Sequence, residues 1–407
     1  MLLAPARPAP APAVRALLCV AALLFAASPA HAAIRYVAAG SPHNDVQDAI
    51  NASSSGDQVV LRAGVHEITR DLKLRSGVTL RGDWAGQGTT TLRGDASFPL
   101  RLIPNGTSLT GATVNALRLE NVRIQLSGNA GHNRIRDNAI LNCDFRGLKE
   151  SGTVSAYVNL SYGRDNRIVN CVFRRTDPAN FGRAIKLFKT HAVTIDRCTV
   201  TGYFTNAINI NGVKASDPGN LSERPKQTLI QNCTFTRTPS PSERNAVGQR
   251  EDHGVYASNF YDLRIQDNTI SGWSPTGLGG SAKIRNGEGG SFSNNTCNGS
   301  GVLLYTYQSD QPQHLKNFSV NGNQINHEGA FTGQDPYRGI LYYRNWSGGT
   351  EVNIHINDNR IPEGNIFIGG NGNRVDPSFN GGVRRNKVAK GGYKLAENVT
   401  AVGNTTY

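Results

Sequence analysis

Lys186, Tyr256 and Lys283 each stand 12 residues ahead of the fourth position of a recurring hexad, and Arg285 stands 10 ahead. Asn159 shares the 12-residue offset, while Asn209 and Asn211 occupy the matching stretch of a coil whose following loop is longer. If the hexads stack, these side chains line up on one surface of amines, a guanidinium, a phenol and amides. Glycoside hydrolysis usually needs two carboxyl groups facing the bond to be cut. The outward positions from Asn159 to Arg285 hold none, and the nearest acids, Glu251 and Asp252, fall in a loop. β-Elimination from a uronic acid has other needs: a base for the C5 proton, positive charge on the enolate-like carboxylate, and an acid for the departing oxygen. An amine beside other cations loses its proton more easily, and a phenol can relay one. The catalytic candidates are therefore Lys283, Tyr256, Arg285 and Lys186, with Lys283 or Tyr256 as base or acid and Arg285 and Lys186 holding the carboxylate. Candidate substrate contacts are Asn159, Asn209, Asn211, His253, Lys189 and Tyr305, with Tyr307 and Tyr343 extending an aromatic rim. A polar, basic outer strand is also what an ordinary solvated sheet face shows, so the chemistry depends on what positions these groups.

The positioning element is the hexad: an apolar residue, two mostly polar residues, Asn or Cys, any residue, then an apolar residue. It reads Ile168-Val-Asn-Cys171-Val-Phe173, Ile195-Asp-Arg-Cys198-Thr-Val200, Ile230-Gln-Asn-Cys233-Thr-Phe235 and Ile265-Gln-Asp-Asn268-Thr-Ile270. Further copies run from Ile140 to Phe145, Phe292 to Cys297, Val320 to Ile325, Ile356 to Ile361 and Val383 to Val388. Successive fourth positions lie 28, 27, 35, 35, 27, 28, 36 and 27 residues apart. That is the period of one solenoid coil with loops of varying length. The spans are too short for helices, and Asn, Gly and Asp clusters punctuate them as strands. Parallel stacking sets equivalent residues about 4.8 Å apart, so the Asn positions predict a ladder of side-chain amides. Cys143, Cys171, Cys198 and Cys233 hold the same station and read as small buried residues in that ladder. Val158, Leu160, Ile185, Leu187, Val255, Ala257, Ala282 and Ile284 then point inward, and alternation sends their neighbours outward.

Residues 1–32 read as a targeting signal: Arg7 and Arg15 precede the apolar run Ala16 to Ala27, and Ala30-His31-Ala32 supplies a cleavage site. A single domain over 33–407, a secreted or periplasmic location and no membrane anchorage are expected. The formal charge of +13 favours an anionic polymer as partner over a neutral one; no nucleic-acid partner is expected, and the solenoid is expected to be a monomer. Of six cysteines, Cys19 leaves with the signal, and the odd remainder excludes a complete disulfide framework. Zinc sites favour CxxC or His-rich spacing, which the chain lacks. Val46, Ala49 and Ile50 behind Asn44 and Asp45 predict a short capped helix covering the first coil. Gly56 to Gly64 and Val78 to Gly82 look like the first coils.

A capping helix, the Gly56-Asp-x-Val-x-Leu-x-x-Gly64 opening and the Ile-x-x-Asn-x-Ile coils resemble the pectate-lyase-like superfamily, which includes alginate and chondroitin lyases and alginate epimerases. The resemblance implies an all-β fold, a right-handed parallel β-helix with an N-terminal capping helix, and a substrate groove on the sheet preceding the hexad. Lys189 looks like the reaction lysine of the chondroitinase-B and alginate-lyase group, although Asn209 and Asn211 stand where that group has an arginine. The group's calcium-binding Asn and Glu set is not identifiable, so no metal or other cofactor is expected. The implied function is a polysaccharide lyase on a uronate polymer, with alginate ahead of pectate or a glycosaminoglycan. The alternatives are a C5-epimerase, whose Asp-Pro-His-Asp motif Glu251-Asp-His-Gly254 partly resembles, and a non-catalytic protein that binds polyanionic carbohydrate.

Overall fold

The computed structural model describes residues 32–407 except 84–88, 95–98, 129–133, 150–155, 180–181, 213–220, 239–252, 274–279, 308–311, 327–338, 345–349, 370–380, 389–392 and 396–398. Residues 1–31 of the expected targeting signal and the acids Glu251 and Asp252 lie outside these residues. Ala33–Tyr407 form one compact unit.

Each coil contributes strands to three parallel faces. In one coil, Ala156–Ser161 lies on the first face, Arg167–Val169 on the second and Val172–Arg175 on the third. The same three stations recur from coil to coil, and the strands pair in parallel with their counterparts above and below. Two 14-residue strands, His253–Gln266 and Gly280–Ser293, run from the first face through the corner onto the second. Among the described residues the third face has 13 strands.

The hexad straddles the turn between the second and third faces. Its third residue takes a left-handed conformation, as at Asn142, Asn170, Asn232, Asp267, Asn294 and Asp358, with φ between 51° and 58°. Short polar side chains tolerate that region best, which is why Asn and Asp recur there. The fourth residue turns into the interior. Asn268, Asn295, Asn323, Asn359 and Asn386 each donate through Nδ2 to the Oδ1 of the next, at 2.9 to 3.1 Å, ending on Asn404. The four cysteines continue the column as free, buried thiols that donate to carbonyls of their own coil, at 3.2 Å for Cys143 and 3.0 Å for Cys233. Burial pushes the Cys171 thiol up, hydrogen bonds with Cys171 and Cys233 pull the Cys198 thiol down, and all four are buried as packing groups of the column.

The core fills the solenoid from end to end. Phe145 and Phe173 stack at 4.7 Å on adjacent coils, and all eight residues assigned inward on the first face have zero exposure. Each buried valine, leucine, isoleucine or phenylalanine contributes about 1.5 to 3 kcal/mol. The first coil starts earlier than the sequence suggests, at Ile34–Val37, which pairs with Gln58–Leu61. The helix spans His43–Asn51 and buries Val46 and Ile50. Asn44 and Asp45 lie inside it and do not cap it; Pro42 holds the N-cap position without a side-chain bond.

Candidate functional site

The first face carries the predicted stripe in unbroken register. Asn159 pairs with Lys186, Lys186 with Asn209, Asn209 with Tyr256, and Tyr256 with Lys283. Two residues along the strands, Ser161, Phe188 and Asn211 form a second row, and Ser258, Arg285, Tyr305 and Tyr343 continue it. At about 4.8 Å per coil, Lys186 and Lys283 stand about 14 Å apart along the axis.

The middle of the stripe is a fixed amide patch. Asn211 donates from Nδ2 to Asn209 Oδ1 at 2.5 Å, and the Ser258 hydroxyl donates to Asn211 Oδ1 at 3.1 Å. Cations and phenols flank it. The Lys283 ammonium sits between two rings, 5.9 Å from the centre of Tyr256 and 5.1 Å from that of Tyr305. The Arg285 guanidinium lies 4.5 Å over Tyr307. This packing leaves Lys283 only 2% exposed and Asn209 3%, so neither is the solvated side chain that simple alternation predicts. Lys283 is thus packed against the two rings and almost closed off from solvent.

Lys186 is different. It is half-buried, and burial followed by the nearby Arg183 charge lowers its pKa below that of an ordinary lysine. Arg183, absent from the sequence-derived set, also interacts with Tyr256 and donates to Asn206 Oδ1 at 3.2 Å. Strict alternation assigns Arg183 inward, together with Ile185. The consecutive core residues Ala184 and Ile185, repeated as Ala207 and Ile208 one coil on, break that alternation. The only sequence signal is the pairing of two apolar residues where one is expected.

His253, expected as a substrate contact, is 1% exposed. Its ring lies 5.5 Å from that of Tyr256 at 27°, and burial, then the Lys283 charge, hold it neutral. It supports the phenol from within. Lys189 is also buried and paired. It sits at the corner after the strand with φ 51°, and its ammonium binds Glu223 Oε2 at 2.6 Å. Burial opposes its charge, but Glu223 and Tyr162 outweigh that and hold the ammonium above its ordinary pKa. The reaction role that the resemblance implied for Lys189 does not fit an amine so engaged. Among the described residues, Glu223 and Glu288 are the acids at this corner, and both are paired: Glu223 with Lys189, and Glu288 with Arg224 at 3.5 Å.

No known family model matches the sequence, and no curated protein matches it significantly. Solved structures match in shape. The family 28 exopolygalacturonase of Yersinia enterocolitica superposes with a TM-score of 0.55 at 12% identity, covering 91% of this chain and 78% of that one. A PL6 alginate lyase solved with a trisaccharide gives 0.52 at 14% identity, covering 92% and 84%. PfbA, a surface adhesin of Streptococcus pneumoniae, gives 0.51 at 15% identity, covering 90% and 86%. The chain has the fold of these structures, a right-handed parallel β-helix. At these identities the likeness concerns the fold alone, and this β-helix has to be assigned a reaction from its own side chains. Among the described residues, no cluster of three or more His, Cys, Asp or Glu is placed to hold a metal, and no helix is long and apolar enough to cross a membrane.

Proposed function

We propose that this β-helix is a polysaccharide lyase that cleaves an acidic, uronate-containing polysaccharide, with alginate as the first candidate, by β-elimination. The observation that carries the reading is the register of Lys186, Asn209, Tyr256 and Lys283 on four successive coils, a basic and phenolic row without an acid. In the proposed reaction the Lys186 amine takes the C5 proton, the C4–C5 double bond forms, the C4–O bond breaks, and Tyr256 protonates the departing oxygen. Arg183 neutralises the carboxylate of the reacting sugar, so that charge developing on the enolate meets a fixed cation. Lys283 and His253 hold the Tyr256 ring from two sides, and Arg285 serves a neighbouring sugar. The base moves from Lys283 to Lys186 because the Lys283 ammonium is enclosed by aromatic rings, whereas Lys186 is accessible and more easily neutral. The solved alginate lyase and exopolygalacturonase of the same fold act on acidic polysaccharides, which is consistent with a +13 chain.

Purified protein incubated with alginate, pectate, hyaluronan, chondroitin and heparin is assayed by the ultraviolet absorbance of the unsaturated uronate. One polymer is expected to yield it. Lys186→Ala and Tyr256→Phe should each lose about 10²-fold or more in kcat, with unchanged circular dichroism, and Lys283→Ala should lose less than Lys186→Ala. Absence of unsaturated product together with a change in C5 stereochemistry would replace the lyase by an epimerase.

A further inference from the structure

The C-terminal side of the stripe carries a feature that the elimination chemistry does not use. Tyr305, on the strand Val302–Thr306, and Tyr307, just past its end, have ring centres 6.0 Å apart and planes 19° from parallel. Both are partly exposed. Their setting is rigid. Asn286 has no exposure and clasps the Tyr307 backbone, accepting from its N–H at 2.7 Å and donating to its carbonyl at 2.9 Å. The same amide nitrogen donates to Pro312 O at 2.7 Å, tying down the chain beyond. Between the two tyrosines, Thr306 points inward with no exposure and lies 3.3 Å from the Tyr342 hydroxyl. Cations support the rings: Lys283 at 5.1 Å from Tyr305 and Arg285 at 4.5 Å over Tyr307.

We propose that Tyr305 and Tyr307 form a distal subsite for one uronate unit, which lays the C–H face of its pyranose on the two rings while Arg285 takes its carboxylate. This rests on the reading of the groove as one for acidic polysaccharide, and it is independent of which bond is cut. Partly exposed aromatic rings with a few fixed polar groups are what a sugar site needs, and pinned side chains lose little freedom on binding. Tyr305 stands two coils from Tyr256, about 10 Å along the axis. A short oligosaccharide seated on Lys186 and Tyr256 stops before it, and a longer one reaches it.

The test compares Tyr307→Ala, Tyr307→Phe and the unaltered protein with saturated alginate oligosaccharides from disaccharide to hexasaccharide. Affinities are read by calorimetry in a Lys186→Ala background, and KM and kcat in the active protein. Tyr307→Ala should weaken binding of the longer oligosaccharides about tenfold, the equivalent of about 1.4 kcal/mol. It should leave the disaccharide and kcat unchanged, while Tyr307→Phe keeps the affinity. Equal affinity at every length in Tyr307→Ala, or a loss as large for the disaccharide, overturns the subsite. Absence of unsaturated product with the length-dependent loss intact overturns the lyase reading and leaves the subsite standing.

Discussion

Replacing Asn323 by Ala tests whether the amide column holds the solenoid together. The Asn323 side chain accepts from the Asn295 backbone N–H at 2.8 Å and from Asn295 Nδ2 at 3.1 Å. It donates to Phe292 O at 2.9 Å and to Asn359 Oδ1 at 2.9 Å. Alanine leaves the Asn295 N–H, one hydrogen of its amide and the Phe292 carbonyl without these partners, at a position only 1% exposed. Each of the three abandoned groups costs about 1 to 3 kcal/mol, so the loss should be about 3 to 9 kcal/mol. Cysteine supplies an internal control, because four coils use it at this station. The Cys233 sulfur accepts from the Cys198 N–H at 3.3 Å and donates to Gln231 O at 3.0 Å, so Asn323→Cys should recover about half the loss. Urea unfolding reads the global change, and hydrogen exchange at the Asn295 amide reads the local one. A loss under about 1 kcal/mol for Asn323→Ala, or a cysteine variant no better than the alanine one, would refute the reasoning.

Lys189→Met should destabilise the protein by about 3 kcal/mol because it strands the Glu223 carboxylate; Lys189→Met with Glu223→Gln should restore most of this, and neither change should move the pH limbs of kcat. Gly202 adopts φ 112°, and a Cβ there would fall 1.9 Å from the Arg175 carbonyl oxygen; Gly202→Ala should therefore lower the urea midpoint more than Gly106→Ala, where nothing lies within 4 Å. His314 is lowered to about 4 by burial and then by the Lys316 charge, and burial followed by the Lys283 charge also holds His253 well below its ordinary value. The unfolded chain binds these protons first, so their contribution is complete above about pH 6.5 and is lost as pH falls toward 4. His314→Gln should flatten that part of the stability curve, as read by urea midpoints across the range.

The fold was legible because the solenoid repeats its physical demands. A left-handed turn residue, a column residue and alternating inward side chains recur at every coil, so one pattern read nine times outweighs any local ambiguity. The stripe from Asn159 to Lys283 followed from the same counting. Arg183 did not, since the break at Ala184 and Ile185 moves it out of phase with Lys186. Neither did the enclosure of Lys283 nor the capture of Lys189 by Glu223, which is 34 residues away in the chain. Such contacts depend on how loops and rings of different coils meet, and no period encodes them.

The sequence by itself determined the coil, its inside and outside, the fate of the odd cysteines and which side chains share a row. These are consequences of a spacing of 27 or 28 residues and of one buried station per turn. Only the tertiary structure decided which cations face the groove, because exposure and pKa depend on distances across coils. A lysine wrapped by two tyrosines and a lysine standing beside an arginine share the same 12-residue offset, yet they offer different chemistry.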